Sequence, residues 1–521
     1  MDKKKQTGFG THAMYVRIGL VLVLLMSCAM AVYARGSQSG QSASSAASTT
    51  RGGELRIGIT SEPATLDPLS SANTADGRSI LFNVYEGLVK PSTNGGFLPA
   101  VAESYAVEQA GLVYNFKLRA GVKFHDGTTL TAEDVVFTLN KAVEARFSGF
   151  TQIAKVEALS DGSAERVLVT LNEPNVEFLP YLTLGIVPRN NPDREAKPLG
   201  TGPYSIASYT TQQSLILEKN PYYWQAGIPH LDKITYVFAA DSDALLTALQ
   251  GGNIDGATVT GALVDQLSLS QFDLVQSTSN AVQMLALNNA LEPLNDVRVR
   301  KALNYAVDVQ EIIDIAFYGR GTPSGSPIIP GLSQYYETSL SNPYPVNIDT
   351  ARSLLAEAGY PDGFPLEITV PSNYTMHVDT AQVLVNQLAK IGVKATIRQV
   401  DWATWLTDVY RGRQYQATVI SLDTSFLSPR GFLDRYRSNA SSNFISFQDA
   451  TFDQIYGEAI TEVDEAKRTA LYKESQRIIS DNAASVYIQD IVEFKAFRKG
   501  FAGFVSYPLY VFDVSTIYRT R

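Results

Sequence analysis

The chain has 521 residues, 45% of them hydrophobic and 18% charged, with a formal net charge of −9. That length exceeds one ordinary hydrophobic core, so two to four lobes are expected at about 100–200 residues each. The acidic balance argues against a nucleic-acid partner, since such a surface repels phosphate backbones. One cysteine, Cys28, excludes a disulfide within the chain and a cysteine zinc site. His12, His125, His230 and His377 are scattered without metal-ligand spacing, so neither a metal nor a cofactor is expected. Tyrosine, at 27 residues, suits wet clefts and ordinary cores alike, because each ring carries a polar tip.

The N-terminus is basic (Lys3, Lys4, Lys5, Arg17) and runs into an apolar segment from Ile18 to Cys28. This is the order of a secretory signal, and the run is too short for a comfortable membrane-spanning helix. Leu25-Met-Ser-Cys28 resembles a lipobox, where cleavage precedes a lipid-bearing cysteine. Cleavage after Ala34 and an uncleaved anchor are the alternatives. Residues 35–53 are rich in Ser, Gly and Ala with no apolar period, as in a flexible tether. Residues 1–27 are therefore read as a signal peptide and 28–53 as a lipid-anchored linker. The protein is expected outside the cytoplasmic membrane.

The folded body begins at Glu54. Leu55, Ile57 and Ile59 alternate with Arg56 and Gly58, the period of a half-buried strand. Leu112 to Arg119 alternates too, and His125-Asp126-Gly127 after it signals a turn. Thr131, with Glu133 and Asp134, opens a helix as a hydroxyl cap followed by first-turn acids. Helices are predicted from Asn295 to Val307, Ala351 to Ala358, Asp379 to Ile391 and about Glu462 to Ser480. Strands are predicted over Val393 to Val400 and around Ser485 to Ile488. No internal repeat is present, and the mixture points to a multi-lobed α/β chain.

Five segments in sequence order now carry a resemblance. They are Gly53 to Pro68; Tyr85-Glu-Gly-Leu-Val89 with Leu98 to Ser104; Phe116 to Gly127 running into Leu130 to Phe137; Gly200-Thr-Gly-Pro-Tyr204 with Asn220-Pro-Tyr-Tyr-Trp224; and Leu294 to Ala306. Together they resemble the family 5 extracytoplasmic solute-binding proteins of ABC importers, which include oligopeptide, dipeptide, nickel and opine binders. The resemblance spans about Gly53 to Gly503. It implies a two-lobed, periplasmic-binding-protein-like (class II) fold of three domains closing over a ligand. The implied main domain of lobe 1 is 54–90 with 199–292 and 478–521. An inserted domain covers 91–198, and lobe 2 covers 293–477. Hinges are implied near Leu287–Asn289 and Ser485–Gln489.

No phosphate loop or nucleophile elbow is present, and no catalytic constellation is visible, so binding is favoured over catalysis. In peptide-binding members an aspartate holds the ligand's α-amine after a conserved strand. Here that position falls on Ser425 and the accompanying tryptophan position on Leu422, with Asp423 two residues before Ser425 and able to take over. No arginine stands near Pro371 to Met376 to clamp a carboxylate; Tyr374 is the large side chain there. The family pattern adds Thr60, Ser61, Glu62, Trp402, Asn443 and Phe444 as pocket candidates. The expected function is capture of a small solute, a peptide first, and delivery to permease subunits driven by separate ATPase subunits. A monomer is expected. The alternatives are a sensor or chaperone of the same fold, an importer protein for an opine, oligosaccharide or nickel complex, and an exported hydrolase.

Overall fold

A computed structural model describes residues 51–520, apart from 71, 73, 74, 94, 148, 161, 163, 260, 425–427, 508 and 510. Cys28 and Ser425 therefore lie outside the described residues. An eleven-stranded sheet runs through the body. Its main strands in chain order are β1 (Glu54–Ile59), β2 (Tyr204–Thr210), β3 (Ser214–Lys219), β4 (Lys233–Phe238), β5 (Gly256–Val259), β6 (Phe272–Leu287), β7 (Pro365–Pro371), β8 (Lys394–Val400), β9 (Ala417–Asp423) and β10 (Ser485–Arg498). Across the sheet the order is β8-β7-β9-β6-β10-β5-β1-β4-β3-β2, and the two-residue strand Thr322–Pro323 pairs with β10.

Two strands are exceptionally long. β6 has 16 residues and β10 has 14, so they reach roughly 53 Å and 46 Å at about 3.3 Å per residue. Their first and second halves belong to different lobes. Phe272 to Thr278 pairs with the far end of β10, and the same end of β10 pairs with β5. Ala281 to Leu287 pairs with β9 and with the near end of β10. Alternation then fills a core on each face of each half. In lobe 2, Leu285, Leu287, Val419 and Ile488 face one way; Met284, Ala286, Ile420 and Tyr487 face the other. In lobe 1, Leu55, Ile57, Leu217 and Tyr236 fill one core, and Leu245, Leu249, Phe494 and Ala496 fill the second.

A separate core occupies Leu88 to Ile186. It packs helix α1 (Ala132–Glu144) on a four-stranded antiparallel sheet of 102–108, 113–118, 165–171 and 153–160. The start of α1 is closed by Thr131, whose amide donates to Asp134 Oδ2 at 2.9 Å, while Asp134 Oδ1 also accepts from Arg189 N. Asp134 is thus a capping-box carboxylate as well as a first-turn charge.

Parts of the motifs around Tyr85, Gly200 and Trp224 converge beside this core. Glu86 is buried and accepts from Tyr223 Oη at 2.9 Å, Trp224 Nε1 at 2.8 Å and Thr201 Oγ1 at 3.3 Å. Burial pushes its pKa up, against the pull of Lys90 and these donors. At Gly200 a Cβ would sit 2.0 Å from Val84 O, so only glycine admits the close backbone approach there. Gly202 N donates to the same carbonyl at 2.9 Å. These residues join the core of Leu88 to Ile186 to the neighbouring core that holds Val84 and Tyr85.

Other elements depart from expectation at their ends. The helix expected from Asp379 starts earlier, as α2 (Thr375–Ala389). The charged helix expected from about Glu462 to Ser480 forms as α3 (Glu465–Asp481), and a separate helix, Ala450–Ala459, precedes it. The strand expected to stop at Ile488 continues to Arg498, because Val492, Phe494 and Ala496 keep one buried face while Ile491, Glu493 and Lys495 alternate with them.

Candidate ligand cleft

Strand direction locates the cleft. β1, β4 and β5 run parallel to β6, because β5 and β6 are both antiparallel to β10. β9 runs antiparallel to β6, and β7 runs parallel to β9. β1 in lobe 1 therefore points toward lobe 2, and β7 and β9 in lobe 2 point back toward lobe 1. The carboxyl ends of both sets face one crevice, where open α/β sheets bind ligands. A cleft with about 1970 Å³ of empty space, its open mouth included, lies there.

Lobe 1 contributes Thr60 and Ser61 just past β1, Thr258 of β5, and Glu493 and Lys495 of β10. Tyr507, Leu509, Val511 and Phe512 of the C-terminal segment close that side. Lobe 2 contributes Phe317, Tyr318 and Arg320 from one loop, and Thr375, Met376 and Asp379 from the first turns of α2. Arg320 reaches across to pair with Asp265 and donates to Gly261 O at 3.3 Å.

The crossing strands are irregular at this level. The β6–β10 register slips between Thr278 and Val282 and again between Gln283 and Met284. Asn280 adopts a φ of +58°, tolerable for asparagine, and its Nδ2 donates to Thr424 O at 2.7 Å. Just beyond, a buried amide relay joins both strands to lobe 2. Gln489 Nε2 donates to Gln283 Oε1 at 2.8 Å; Gln283 Nε2 faces His377 Nδ1 at 3.1 Å and Thr380 Oγ1 at 3.0 Å. The irregularities overlap the expected hinge at Ser485–Gln489 and lie before the one expected at Leu287–Asn289.

The candidate residues separate into groups. Thr60 and Ser61 line the cleft. Tyr374 caps the start of α2 beside Thr375 and Met376, and its ring meets Trp402 edge to face at 5.6 Å. Trp402 is 38% exposed and stacks on buried Trp405 at 5.1 Å and 4°. Asp401 caps this turn: its Oδ1 accepts from Thr404 N at 3.0 Å, and a π-helical turn, Trp405–Arg411, follows. Asp423 is exposed at the carboxyl end of β9, opposite Ala281, and its carbonyl accepts from Arg435 Nη2 at 3.0 Å. Leu422 before it packs on the lobe 2 core.

Glu62 is tied to lobe 1: its Oε2 accepts from Tyr209 Oη at 3.0 Å and Gln212 N at 2.9 Å. Asn443 and Phe444 are buried within lobe 2. Asn443 Nδ2 donates to Phe447 O at 2.7 Å and pins its own loop, and Phe444 lies between Tyr410 and Tyr415. The structure does not bring these two to the cleft. Lys495 and Met376, which do line it, went unnoticed in the sequence. The continued alternation past Ile488 was the available signal for Lys495.

Among the described residues, no cluster of three or more His, Cys, Asp or Glu side chains is placed to hold a metal ion, and no helix is long and apolar enough to cross a membrane.

A family model described as bacterial extracellular solute-binding proteins, family 5 middle, matches residues 96–444. The glutathione-binding protein GsiB of Shigella flexneri is 28% identical over 95% of this chain and 96% of its own length. The ABC transporter substrate-binding protein CtaP of Listeria monocytogenes superposes with a TM-score of 0.80 at 24% identity, covering 91% of this chain and 100% of that one. The periplasmic binding protein DppA of Helicobacter pylori, in complex with the peptide STSA, gives 0.71 at 25% identity, over 91% and 99%. The chain belongs to the bacterial extracellular solute-binding proteins of family 5, which are binding proteins and not enzymes.

Proposed function

We propose that the solute captured by this protein is a short peptide or a peptide-like amino-acid conjugate. As a family 5 solute-binding protein the chain serves an ABC importer, presenting its ligand to permease subunits. The observation that carries the peptide reading is the cleft itself. Two lobes offer it exposed strand ends, aromatic surface and side chains of both charges, a lining suited to an extended polar ligand. The near full-length similarity to a glutathione-binding protein and to a peptide-bound DppA supports the same chemistry.

In this reading Thr60, Ser61, Tyr374 and Trp402 touch the ligand, and Asp423 receives its amine. The lobes close by flexing β6 and β10 at their register slips. A thermal-shift screen of the body from Gly52 onward tests it. The panel holds peptides of two to eight residues, glutathione, opines, oligosaccharides and nickel. Saturating ligand at about one hundred times its Kd adds about 2.7 kcal/mol, a shift of degrees. Melting shifts with peptides or glutathione are the expected result; a shift confined to another class reassigns the solute.

The same reading places the mature protein on a lipid tether at Cys28, as a monomer. Cys28→Ala is expected to move the protein from the membrane fraction to the soluble fraction after cell lysis. Unchanged membrane retention would count against the lipid anchor.

A further inference from the structure

Lys495 stands out among the cleft residues. It lies on β10 between Thr258 of β5 and Val275 of β6. Its ammonium rests 4.6 Å from the centroid of the Phe512 ring. Among the described residues it makes no hydrogen bond or ion pair. Other cleft cations differ: Arg320 is already matched by Asp265.

An ammonium taken partly out of water with no hydrogen-bonded counter-ion is costly, and a ring face offsets only part of that cost. Burial pulls the pKa of Lys495 below the ordinary lysine value, against the field of Glu493, which marks the charge as undercompensated. Its side chain nonetheless borders the cleft, beside Thr258 and the apolar Leu509, Val511 and Phe512. An anion entering the cleft would meet a preformed, partly desolvated positive charge.

The lining limits which anion fits. A single lysine is a point charge rather than a bidentate fork. Glu493 projects from the same face of β10 two residues away, and repels a second negative charge. The match is a monoanion on an otherwise apolar or cationic stem. We infer that Lys495 is the specificity anchor for a carboxylate of the ligand, which makes the solute a free-acid peptide or amino-acid conjugate rather than an amide, an ester or a neutral sugar. This rests on the cleft being the ligand site. It supplies from β10 the carboxylate clamp that is missing near Pro371 to Met376.

The test uses the full folded body and two probe pools: tri- to pentapeptides with free C-terminal carboxylates, and the same peptides as C-terminal amides. Calorimetric titration of the wild type is expected to show the acid pool binding at least tenfold tighter. Lys495→Met keeps the apolar stem and is expected to remove that preference through loss of acid-pool affinity. Its melting temperature should equal or exceed that of the wild type, because an unpaired, half-buried charge has gone. Lys495→Arg is expected to keep the preference. Equal wild-type affinity for both pools overturns the anchor while leaving the peptide reading intact, and so does an acid-pool affinity within twofold of wild type in Lys495→Met. Wild-type binding of neither pool overturns this inference, and with no melting shift from glutathione or from other peptide lengths it overturns the peptide reading as well.

Discussion

Trp405→Ala is expected to lower the unfolding free energy of the body by about 3–5 kcal/mol, the range for deleting a buried tryptophan. Trp405 is 2% exposed, donates from Nε1 to Thr418 Oγ1 at 3.0 Å, and packs against Tyr410 and Phe444. Removal leaves a cavity in the lobe 2 core and an unpartnered Thr418 hydroxyl. It also removes the platform under Trp402. Trp402→Ala, at an exposed site, is expected to change stability by under about 1 kcal/mol and to act on ligand affinity instead. Denaturant melts of both variants check the contrast. Similar losses from the two would mean that Trp402 is core and that its exposed ring has no separate part in binding.

Acid should destabilise the body between about pH 6.5 and pH 4 through two histidines. Burial holds the pKa of His377 down at about 4, and that of His125 likewise at about 4. Their neutral forms are built into the fold. Gly200 N donates to His125 Nδ1 while its Nε2 faces Gly202 O, and Gln283 faces His377 Nδ1. The unfolded chain takes up protons near pH 6.5, where the folded chain does not. Stability is therefore complete above pH 6.5 and falls as pH drops through the folded value. For His377, 3% exposed, the full loss is on the order of 3 kcal/mol by pH 4. His377→Asn should flatten the dependence of melting temperature on pH in that window, with the carboxylates setting the remaining slope. An unaltered slope would mean that His377 is protonated in the fold. Because His377 joins the amide relay between β6, β10 and α2, the same protonation is expected to loosen the crossing strands before the rest of the body melts.

Much of the fold was legible without coordinates. Alternation at Leu55, Ile57 and Ile59 and at residues 113–118 is a local property of the chain, and so is the cap at Thr131. The five ordered motifs carried the family. Local signals blurred where a neighbour decides the outcome. The strand predicted around Ser485 to Ile488 runs on as β10 to Arg498, because β5 and β6 supply ladder partners beyond Ile488.

The site was less legible. Glu86, Gly200 and Trp224 stood out by pattern and join two neighbouring cores. Asn443 and Phe444 matched a pocket pattern and lie in a core. The sequence by itself determined the composition of each element, which of its faces is apolar, and the family to which the whole belongs, because periodicity and capping act within a few residues. Only the tertiary structure decided that Thr60, Thr258, Asp379 and Lys495 share one cleft, because that depends on strand direction and register between segments hundreds of residues apart, and on two long strands that cross from one lobe to the other.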